Sequence, residues 1–259
     1  MELGLAGKKA IVCAVTTDLG AACAAGLAGE GAEVFATGDD TDQLRQIVSD
    51  LRDSTSGNIE AVPCDIVTEA GRRQALAACP QPDILINHAP GPPMGDFRQW
   101  GQQDWDKALR TNMLCAIELI RATLDGMLER GFGRIVNITS QSVKAPMANL
   151  DLSNAARAGL TGFVAGVARH TRDADVTINN LLPGMFATQP LQNYIASHAA
   201  TEGVSEAEFT RRLLGANPLG RLGRVEEFGA TCAFLCSEGA GYINAQNILI
   251  DGGAYPGVV

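Results

Sequence analysis

The sequence lacks the features that mark nucleic-acid-binding, membrane-spanning and secreted proteins. Acidic residues outnumber basic ones and give a formal net charge of −9, which disfavours binding to nucleic acid or to anionic membranes. No segment approaches the ~20 uninterrupted apolar residues that a membrane-spanning helix needs. The first ten residues, MELGLAGKKA, contain no apolar run of signal-peptide length. We therefore expect a cytoplasmic protein.

The seven cysteines are an odd number and show no CxxC spacing, which predicts reduced thiols rather than disulfides. Cys232 and Cys236 lie four residues apart among apolar neighbours, a pattern typical of a helix core rather than of metal ligands. We predict no metal site. There is also no repeat, no low-complexity tract and no Pro/Gly/Ser-rich linker, so residues 1–259 are predicted to form a single domain.

Seven short apolar runs predict the strands of a buried parallel sheet. They cover residues 10–14, 33–37, 59–64, 83–87, 134–138, 177–182 and 247–250. Helical patterns fill the gaps between them. An alanine-rich one follows Gly20 and runs to about Gly29, and others cover residues 41–53, 68–78 and 105–130. This alternation predicts an α/β fold with three layers, α/β/α, in which a Rossmann-like, doubly wound parallel sheet is covered on both faces.

Residues 133–163 carry the candidate active site. The strand at 134–138 is followed by Ser140, so a hydroxyl stands at the carboxyl edge of the sheet, where ligands bind in open α/β folds. After a loop, Ser153 and Asn154 are predicted to cap a helix. Ser140 on one element and Arg157 on the next are therefore expected to meet at one place.

This frame resembles the active site of the short-chain dehydrogenase/reductase family, in particular its 3-oxoacyl-ACP-reductase-like members. The family has a strand-end serine, a tyrosine thirteen residues later and a lysine four residues after that. Ser140 matches the serine, whereas Ser153 and Arg157 stand at the tyrosine and lysine positions, and Asn112 matches the asparagine that orders a relay water. The resemblance implies that these four residues form the catalytic set. A water or Lys144 would then supply the proton that the tyrosine normally donates.

The turn after the first strand is similar to the family's dinucleotide-binding turn, with two of three glycines replaced. The three positions are Ala14, Asp18 and Gly20. A carboxylate at Asp18 would repel a pyrophosphate unless it turns outward. Alternatively, the segment is an ordinary strand-to-helix turn in which Asp18 suits the helix dipole. The resemblance implies further cofactor contacts at Thr16, Leu19, Asp39, Asp65, Ile66, Asn87, Arg157, Pro183, Gly184 and Thr188.

The cofactor is predicted to be NAD(H) rather than NADP(H). Asp39 and Asp40 follow the second strand, and carboxylates there accept hydrogen bonds from free ribose hydroxyls but repel a 2′-phosphate. The alternative that the protein binds no dinucleotide stays open.

His88 stands where the family has a second asparagine. It is interpreted either as a group that exchanges protons or as a structural histidine bonded to backbone, and the second interpretation is favoured.

Residues 187–214 resemble the family's substrate lid. The segment mixes Tyr194 and other apolar residues with polar ones, which favours a small substrate of mixed polarity. Ser140, Lys144, Met185 and Tyr194 are the expected substrate contacts. The helices near 114–128 and 160–168 pair across a dimer in this family. We therefore expect a homo-oligomer, a dimer or a tetramer, and favour a tetramer built on two-fold interfaces.

Three functions are consistent with the sequence. An NAD(P)-dependent oxidoreductase with an unusual proton donor is favoured, because most landmarks at the sheet edge are kept. A non-redox enzyme on the same fold, such as a lyase, an isomerase or a dehalogenase, is the second. Halohydrin dehalogenases also carry an arginine at the lysine position, although they keep the tyrosine. A binding subunit without catalysis is the third.

Overall fold

The computed structural model describes residues 2–55, 57–215 and 217–258. In this part of the chain one parallel sheet has the strand order β3-β2-β1-β4-β5-β6-β7. The strands are β1 Lys9–Val12, β2 Glu33–Gly38, β3 Ile59–Pro63, β4 Ile84–Asn87, β5 Phe132–Ile138, β6 Asp175–Pro183 and β7 Asn247–Ile250. The predicted α/β class and all seven predicted strands are confirmed, with ends shifted by at most two residues.

Helices connect the strands in the predicted alternation. They are α1 Asp18–Gly29, α2 Thr41–Thr55, α3 Glu69–Ala78, α4 Gln102–Leu109, α5 Cys115–Arg130, α6 Asp151–Val167, α7 Gln189–Glu202, α8 Glu206–Leu214 and α9 Val225–Cys236. The predicted helix at 105–130 is thus two α-helices joined by a π-helical turn, Arg110–Leu114. In the described residues no helix is long and apolar enough to cross a membrane.

Two apolar cores lie on opposite faces of the sheet, because neighbouring residues of a strand point to opposite sides. In β1, Ala10 and Val12 belong to the core under α1, α2 and α9. Ile11 belongs to the core under α3, α5 and α6. Burial on both faces explains why the strands read as continuous apolar runs rather than as alternating ones. All seven cysteines are buried free thiols.

The strand order reverses between β1 and β4. The chain runs outward from β1 through β2 to β3, then returns to the centre and runs from β4 to β7 in the other direction. The connections that leave β1 and β4 therefore diverge to opposite faces. A crevice opens between the carboxyl ends of these two strands, at the position where open α/β sheets bind ligands.

The prediction that Ser153 and Asn154 cap α6 is wrong. The helix begins at Asp151, with Leu150 as the capping residue, so Ser153 lies inside the first turn. Asp151 places a negative charge near the helix N-terminus, where it is favourable, and Leu152 is 2% exposed. Burial of the Leu152 side chain stabilises a helix that begins before Ser153. A cap motif in the sequence does not reveal this packing.

Candidate active site

A cavity of about 780 Å³ lies at the carboxyl edge of the sheet. Ala14 and Thr16 line it after β1, Asp39 after β2, and Asp65 and Ile66 after β3. These five residues were all predicted to contact a dinucleotide. The rest of the wall comes from Thr37 and Gly38, from Cys64 and Val67, from residues 88–93, from Leu152, and from α4 and the π-helical turn, including Asn112.

The turn after β1 keeps its third glycine for a steric reason. Thr17 caps α1, since its Oγ1 accepts a hydrogen bond from the Gly20 N–H at 3.1 Å and donates one to the Ala14 carbonyl oxygen at 2.8 Å. A Cβ atom on Gly20 would lie 2.2 Å from that same oxygen. Ala14 itself has φ of +53°, a left-handed conformation that normally favours glycine. Thr17 and Gly20 therefore fix the turn, although two of the three glycine positions are occupied by Ala14 and Asp18.

Asp18 is the first residue of α1, and its carboxylate reaches the lid. Oδ2 of Asp18 accepts a hydrogen bond from the backbone N–H of Gln189, the first residue of α7, at 3.1 Å. The carboxylate thus lies on the N-terminus of a second helix. The next residue, Leu19, packs against the core beneath α1. The contact between Asp18 and the lid is invisible to sequence reasoning, because 171 positions separate the two residues.

Arg157 is 7% exposed and uses its guanidinium to brace the site. Nη1 donates to the carbonyl oxygen of Ile138 at 2.9 Å, Nη2 to that of Ala89 at 3.4 Å, and Nε to the hydroxyl of Ser153 at 3.1 Å. Burial lowers the pKa of Arg157 to about 10, so the side chain stays protonated at neutral pH. Other N–H bonds of the guanidinium are left to donate to a ligand.

The two serines of the predicted catalytic set have different surroundings. Ser140 is partly exposed, and its Oγ accepts a hydrogen bond from the Ser142 N–H at 3.1 Å, which leaves its own proton free to polarise a substrate oxygen. Ser153 is 6% exposed and is held by Arg157. Ser140, Ser153 and Arg157 do not line the 780 Å³ cavity, whereas Asn112 does.

Asn112 lies in the middle of the π-helical turn and is 5% exposed. Neither its Oδ1 nor its Nδ2 has a hydrogen-bond partner among the described residues. A buried amide without partners is destabilising by about 1–3 kcal/mol, so a water or a ligand group is expected there. π-Helical turns occur frequently at functional sites. The sequence identified the residue but not the turn that presents it.

His88 lines the same cavity, and its Nδ1 is buried without a partner among the described residues. Burial, and then the positive charge of Arg157, lower the pKa of His88 to about 3. The ring is therefore neutral at physiological pH. The structure shows no ring hydrogen bond to backbone in the described chain, so the favoured interpretation is not supported. The low pKa also disfavours proton exchange near neutrality.

Asn87 lies outside the cavity and belongs to a ladder of amides. Its Nδ2 donates to Oδ1 of Asn137 at 2.8 Å, Asn137 donates to Asn180 at 3.2 Å, and Asn180 donates to Asn247 at 2.8 Å. These four residues are aligned in register on β4 to β7. The ladder joins these four strands across the sheet, and Oδ1 of Asn87 is buried without a partner among the described residues.

Pro183 is the last residue of β6, and the loop after it carries three more predicted residues, Gly184, Met185 and Thr188. A Cβ atom on Gly184 would lie 2.6 Å from the Cα of Asp251, so glycine is required where this loop crosses the end of β7. Met185 lines a separate cavity of about 350 Å³ beside β7. Thr188 is the capping residue of α7, but its side chain makes no capping bond.

The predicted lid consists of α7 and α8, which pack on each other through Ile195, Ala199 and Phe209. Tyr194 is 39% exposed and its ring centroid lies 3.9 Å from that of His198.

Lys144 follows a short 3-10 turn, and its ammonium group has no partner among the described side chains. In the described part of the chain there is also no cluster of His, Cys, Asp or Glu side chains that could hold a metal ion.

Comparisons with known proteins identify a family and several relatives. A family model described as "Enoyl-(Acyl carrier protein) reductase" matches residues 14–255. The 3-oxoacyl-(acyl-carrier-protein) reductase of Pseudomonas aeruginosa is 31% identical over 98% of this chain and 99% of its own length. Gluconate 5-dehydrogenase of Gluconobacter oxydans is 29% identical over 96% of this chain and 95% of its own.

A solved structure shares the fold across nearly the whole chain. L-Sorbose reductase from Gluconobacter frateurii, complexed with NADPH and L-sorbose, superposes with a TM-score of 0.92, covering 98% of each chain at 24% sequence identity. At this identity the likeness establishes the fold alone. It confirms the Rossmann-like sheet that the sequence predicted.

Proposed function

This chain belongs to the short-chain dehydrogenase/reductase family, and on that premise we propose that it is an NAD(P)-dependent oxidoreductase. It would reduce a carbonyl group or oxidise an alcohol on a small substrate of mixed polarity. The relatives named above are reductases and a dehydrogenase of oxo and hydroxy compounds, which supports this class of reaction.

One observation carries the proposal. The 780 Å³ cavity is lined from the ends of β1, β2 and β3 and from the residues after β4. Its wall contains buried polar atoms that have no partner among the described residues. These are Oγ1 of Thr37, Nδ1 of His88 and both amide atoms of Asn112. Buried polar groups are nearly always hydrogen-bonded in folded proteins. Their convergence on one cavity at the crevice of the sheet supports a polar ligand such as a dinucleotide.

The residues present fit such a cofactor, which would supply or accept a hydride. Asp39, Asp65 and Ile66 would hold its adenosine half, and the turn at Ala14 would approach its pyrophosphate. Arg157, which stays protonated, would donate its remaining N–H bonds to a ribose hydroxyl. The assignments of Ala14, Asp39, Asp65 and Ile66 follow from the lining of the cavity. That of Arg157, which does not line it, follows from the donor chemistry of its guanidinium.

The substrate oxygen would be polarised by Ser140, whose hydroxyl proton is free. Ser153 is buried, and its side chain is shorter than that of a tyrosine and a weaker acid, so it is a poor proton donor to a substrate. Arg157 stays protonated at neutral pH, and His88 is a neutral imidazole there and therefore a poor proton donor. We therefore assign the proton to a water held by Asn112, or to Lys144. Positioning and fixed hydrogen bonds supply much of the catalysis in such sites.

We propose that NAD(H) is preferred over NADP(H). Similar proteins favour NADP at least as much, since the structure of L-sorbose reductase contains NADPH. The preference rests on Asp39, which is exposed at the cavity rim directly after β2. Its carboxylate suits free ribose hydroxyls and repels a 2′-phosphate. A cytoplasmic location is proposed on the seven free thiols.

A homo-oligomer, dimer or tetramer, is also proposed. The large apolar residues of α5 and α6, such as Leu119, Leu124 and Leu160, are mostly buried within the chain itself. The apolar pattern of these helices is therefore weaker support for a subunit interface than expected. What supports association is Leu114, which is 46% exposed between α4 and α5.

A second function, nucleotide binding without catalysis, is favoured by one observation. Arg157 is bonded to two main-chain carbonyl groups and to Ser153, a structural brace that needs no reaction to explain it. Thermal-shift titrations with NADH and NADPH, followed by turnover assays on oxo and hydroxy acids and sugars, separate the cases. Stabilisation by a nucleotide with turnover supports the oxidoreductase. Stabilisation without any hydride transfer supports the binding protein, and no stabilisation contradicts both.

A further inference from the structure

Asp18 joins the nucleotide turn to the lid by a single charged contact. Its carboxylate accepts the N–H of Gln189 at 3.1 Å. Thr188, the capping residue of α7, makes no side-chain capping bond, and its own N–H is donated to the carbonyl oxygen of Phe186 at 2.7 Å. The carboxylate of Asp18 therefore takes the place of a side-chain cap at the start of the lid.

The same residue begins α1, whose N-terminus has free donors. Thr17 satisfies the N–H of Gly20 through its hydroxyl and that of Ala21 through its carbonyl oxygen. The N–H groups of Asp18 and Leu19 have no partner in the described part of the chain. A helix N-terminus after the first strand of such a sheet is where a pyrophosphate binds, so these donors and the Asp18 carboxylate belong to one small region.

A pyrophosphate and the Asp18 carboxylate carry the same sign of charge. Like charges a few ångströms apart repel strongly in a partly buried setting, because solvent screens them little. The carboxylate in turn gains from the positive ends of two helix dipoles, α1 and α7. A bound pyrophosphate would compete for the same favourable field.

We propose that Asp18 is an intramolecular competitor of the cofactor's pyrophosphate. This inference rests on the proposed function. In the free protein the carboxylate holds the first turn of α7, and the binding of a dinucleotide displaces it. Cofactor affinity and closure of the lid are then opposed: the ligand that fills the nucleotide turn releases the start of α7. The remainder of the lid stays together, since Ile195, Ala199 and Phe209 pack between α7 and α8.

Two substitutions separate the charge from the contact. Asp18→Asn removes the charge but keeps an oxygen that accepts the Gln189 N–H. Asp18→Ala removes both. Glu206→Gln is the matched control, because Glu206 is an acidic residue in the first turn of the other lid helix, α8. Like Asp18, it is not among the residues that line the 780 Å³ cavity, but in the described part of the chain it makes no hydrogen bond to the N-terminus of α7.

The experiment measures binding of adenosine, ADP-ribose and NADH by calorimetry to the native protein and the three variants. Both Asp18 variants should bind ADP-ribose and NADH about tenfold more tightly or better. Adenosine, which has no phosphate, should bind equally to all four proteins. Amide hydrogen exchange of residues 187–193, followed by mass spectrometry, reports on the lid. In the native protein it should speed up when ADP-ribose binds, and in Asp18→Ala it should be fast without ligand.

The outcomes that overturn the inference differ from those that overturn the function. Equal ADP-ribose affinity of the native protein and Asp18→Asn, or slower exchange of residues 187–193 on binding, rejects the competition and leaves the dinucleotide site intact. A similar gain in affinity for Glu206→Gln shows a general charge effect and also rejects it. If neither the native protein nor any Asp18 variant binds ADP-ribose or NADH, the proposed function fails as well.

Discussion

Nη1 of Arg157 donates a hydrogen bond to the carbonyl oxygen of Ile138, the last residue of β5, at 2.9 Å. A second bond, from Nη2 to Ala89, reaches the loop after β4. The planar guanidinium can bond to two strand ends at once, whereas a lysine ammonium is a single point with three donors. Arginine at this position therefore braces the floor of the site in addition to carrying a charge.

Arg157→Ala should lower both stability and cofactor affinity. It leaves the hydrogen-bond acceptors of Ile138 and Ser153 buried without a partner, and each charged hydrogen bond is worth about 1.5–3 kcal/mol. NADH affinity should fall roughly tenfold to hundredfold if the side chain also holds a ribose. Arg157→Lys should recover part of the binding but little of the stability. Urea unfolding and calorimetry measure the two quantities.

Arg172→Ala is the control for loss of positive charge, since its side chain is 88% exposed. It should change neither quantity. Unchanged NADH affinity in Arg157→Ala, together with a lower unfolding midpoint, would show that Arg157 is purely structural and would weaken the oxidoreductase proposal.

Ser140→Ala should reduce turnover much more than Ser153→Ala. Removing a hydroxyl that polarises the reacting oxygen costs about 10²–10³ in kcat. Ser153 accepts a bond from Nε of Arg157 and is not the helix cap, so its loss should mainly reduce the free energy of unfolding by about 1–2 kcal/mol. Steady-state kinetics and urea unfolding of both variants test this. A larger fall in kcat for Ser153→Ala would identify Ser153 as the proton donor after all.

His88 should make the protein less stable in acid. Its pKa is about 3 in the folded state and ~6.5 in an unfolded chain, so the unfolded chain binds more protons between these values. The stabilisation is complete above pH 6.5 and decreases as the pH falls towards 3, by at most about 1.4 kcal/mol per pH unit. His88→Asn cannot titrate, so its melting temperature should fall less steeply in this window. Parallel curves for the two proteins would contradict the pKa.

Asp39 should decide between the two nicotinamide cofactors. The native protein should bind NADH more tightly than NADPH, and Asp39→Ala should narrow or reverse the difference because the repulsion of a 2′-phosphate is removed. Asp42→Asn, an exposed acidic residue in the first turn of α2, is the control for net charge. Dissociation constants measured by fluorescence titration settle the preference. Equal or tighter NADPH binding by the native protein would reject it.

Sedimentation velocity at micromolar concentration should show a dimer or a tetramer. Leu114 is the exposed apolar residue between α4 and α5, so Leu114→Lys should shift the protein towards monomer without lowering its melting temperature by more than a few degrees. A native protein that sediments only as a monomer would exclude this assembly.

The sequence alone determined the sheet and the edge at which the cavity opens. Apolar runs of strand length are separated by helical patterns along the chain. A parallel sheet covered by helices on both faces buries all of these runs. Parallel strands end at one edge, so residues that follow them, such as Thr16, Asp39 and Asp65, were expected to meet. They do meet around one cavity. The identity of Ser140 and Asn112 as candidate residues likewise needed only their positions in the pattern.

Tertiary structure decided the contacts that determine what these residues can do. Arg157 binds the carbonyl oxygens of Ile138 and Ala89, and because every residue has such an oxygen, no sequence pattern marks it as an acceptor. Asp18 meets Gln189 across 171 positions, a pairing set by where two helices begin in space. The π-helical turn at Asn112 and the early start of α6 arise because packing outweighs local helix signals, and packing depends on the whole chain.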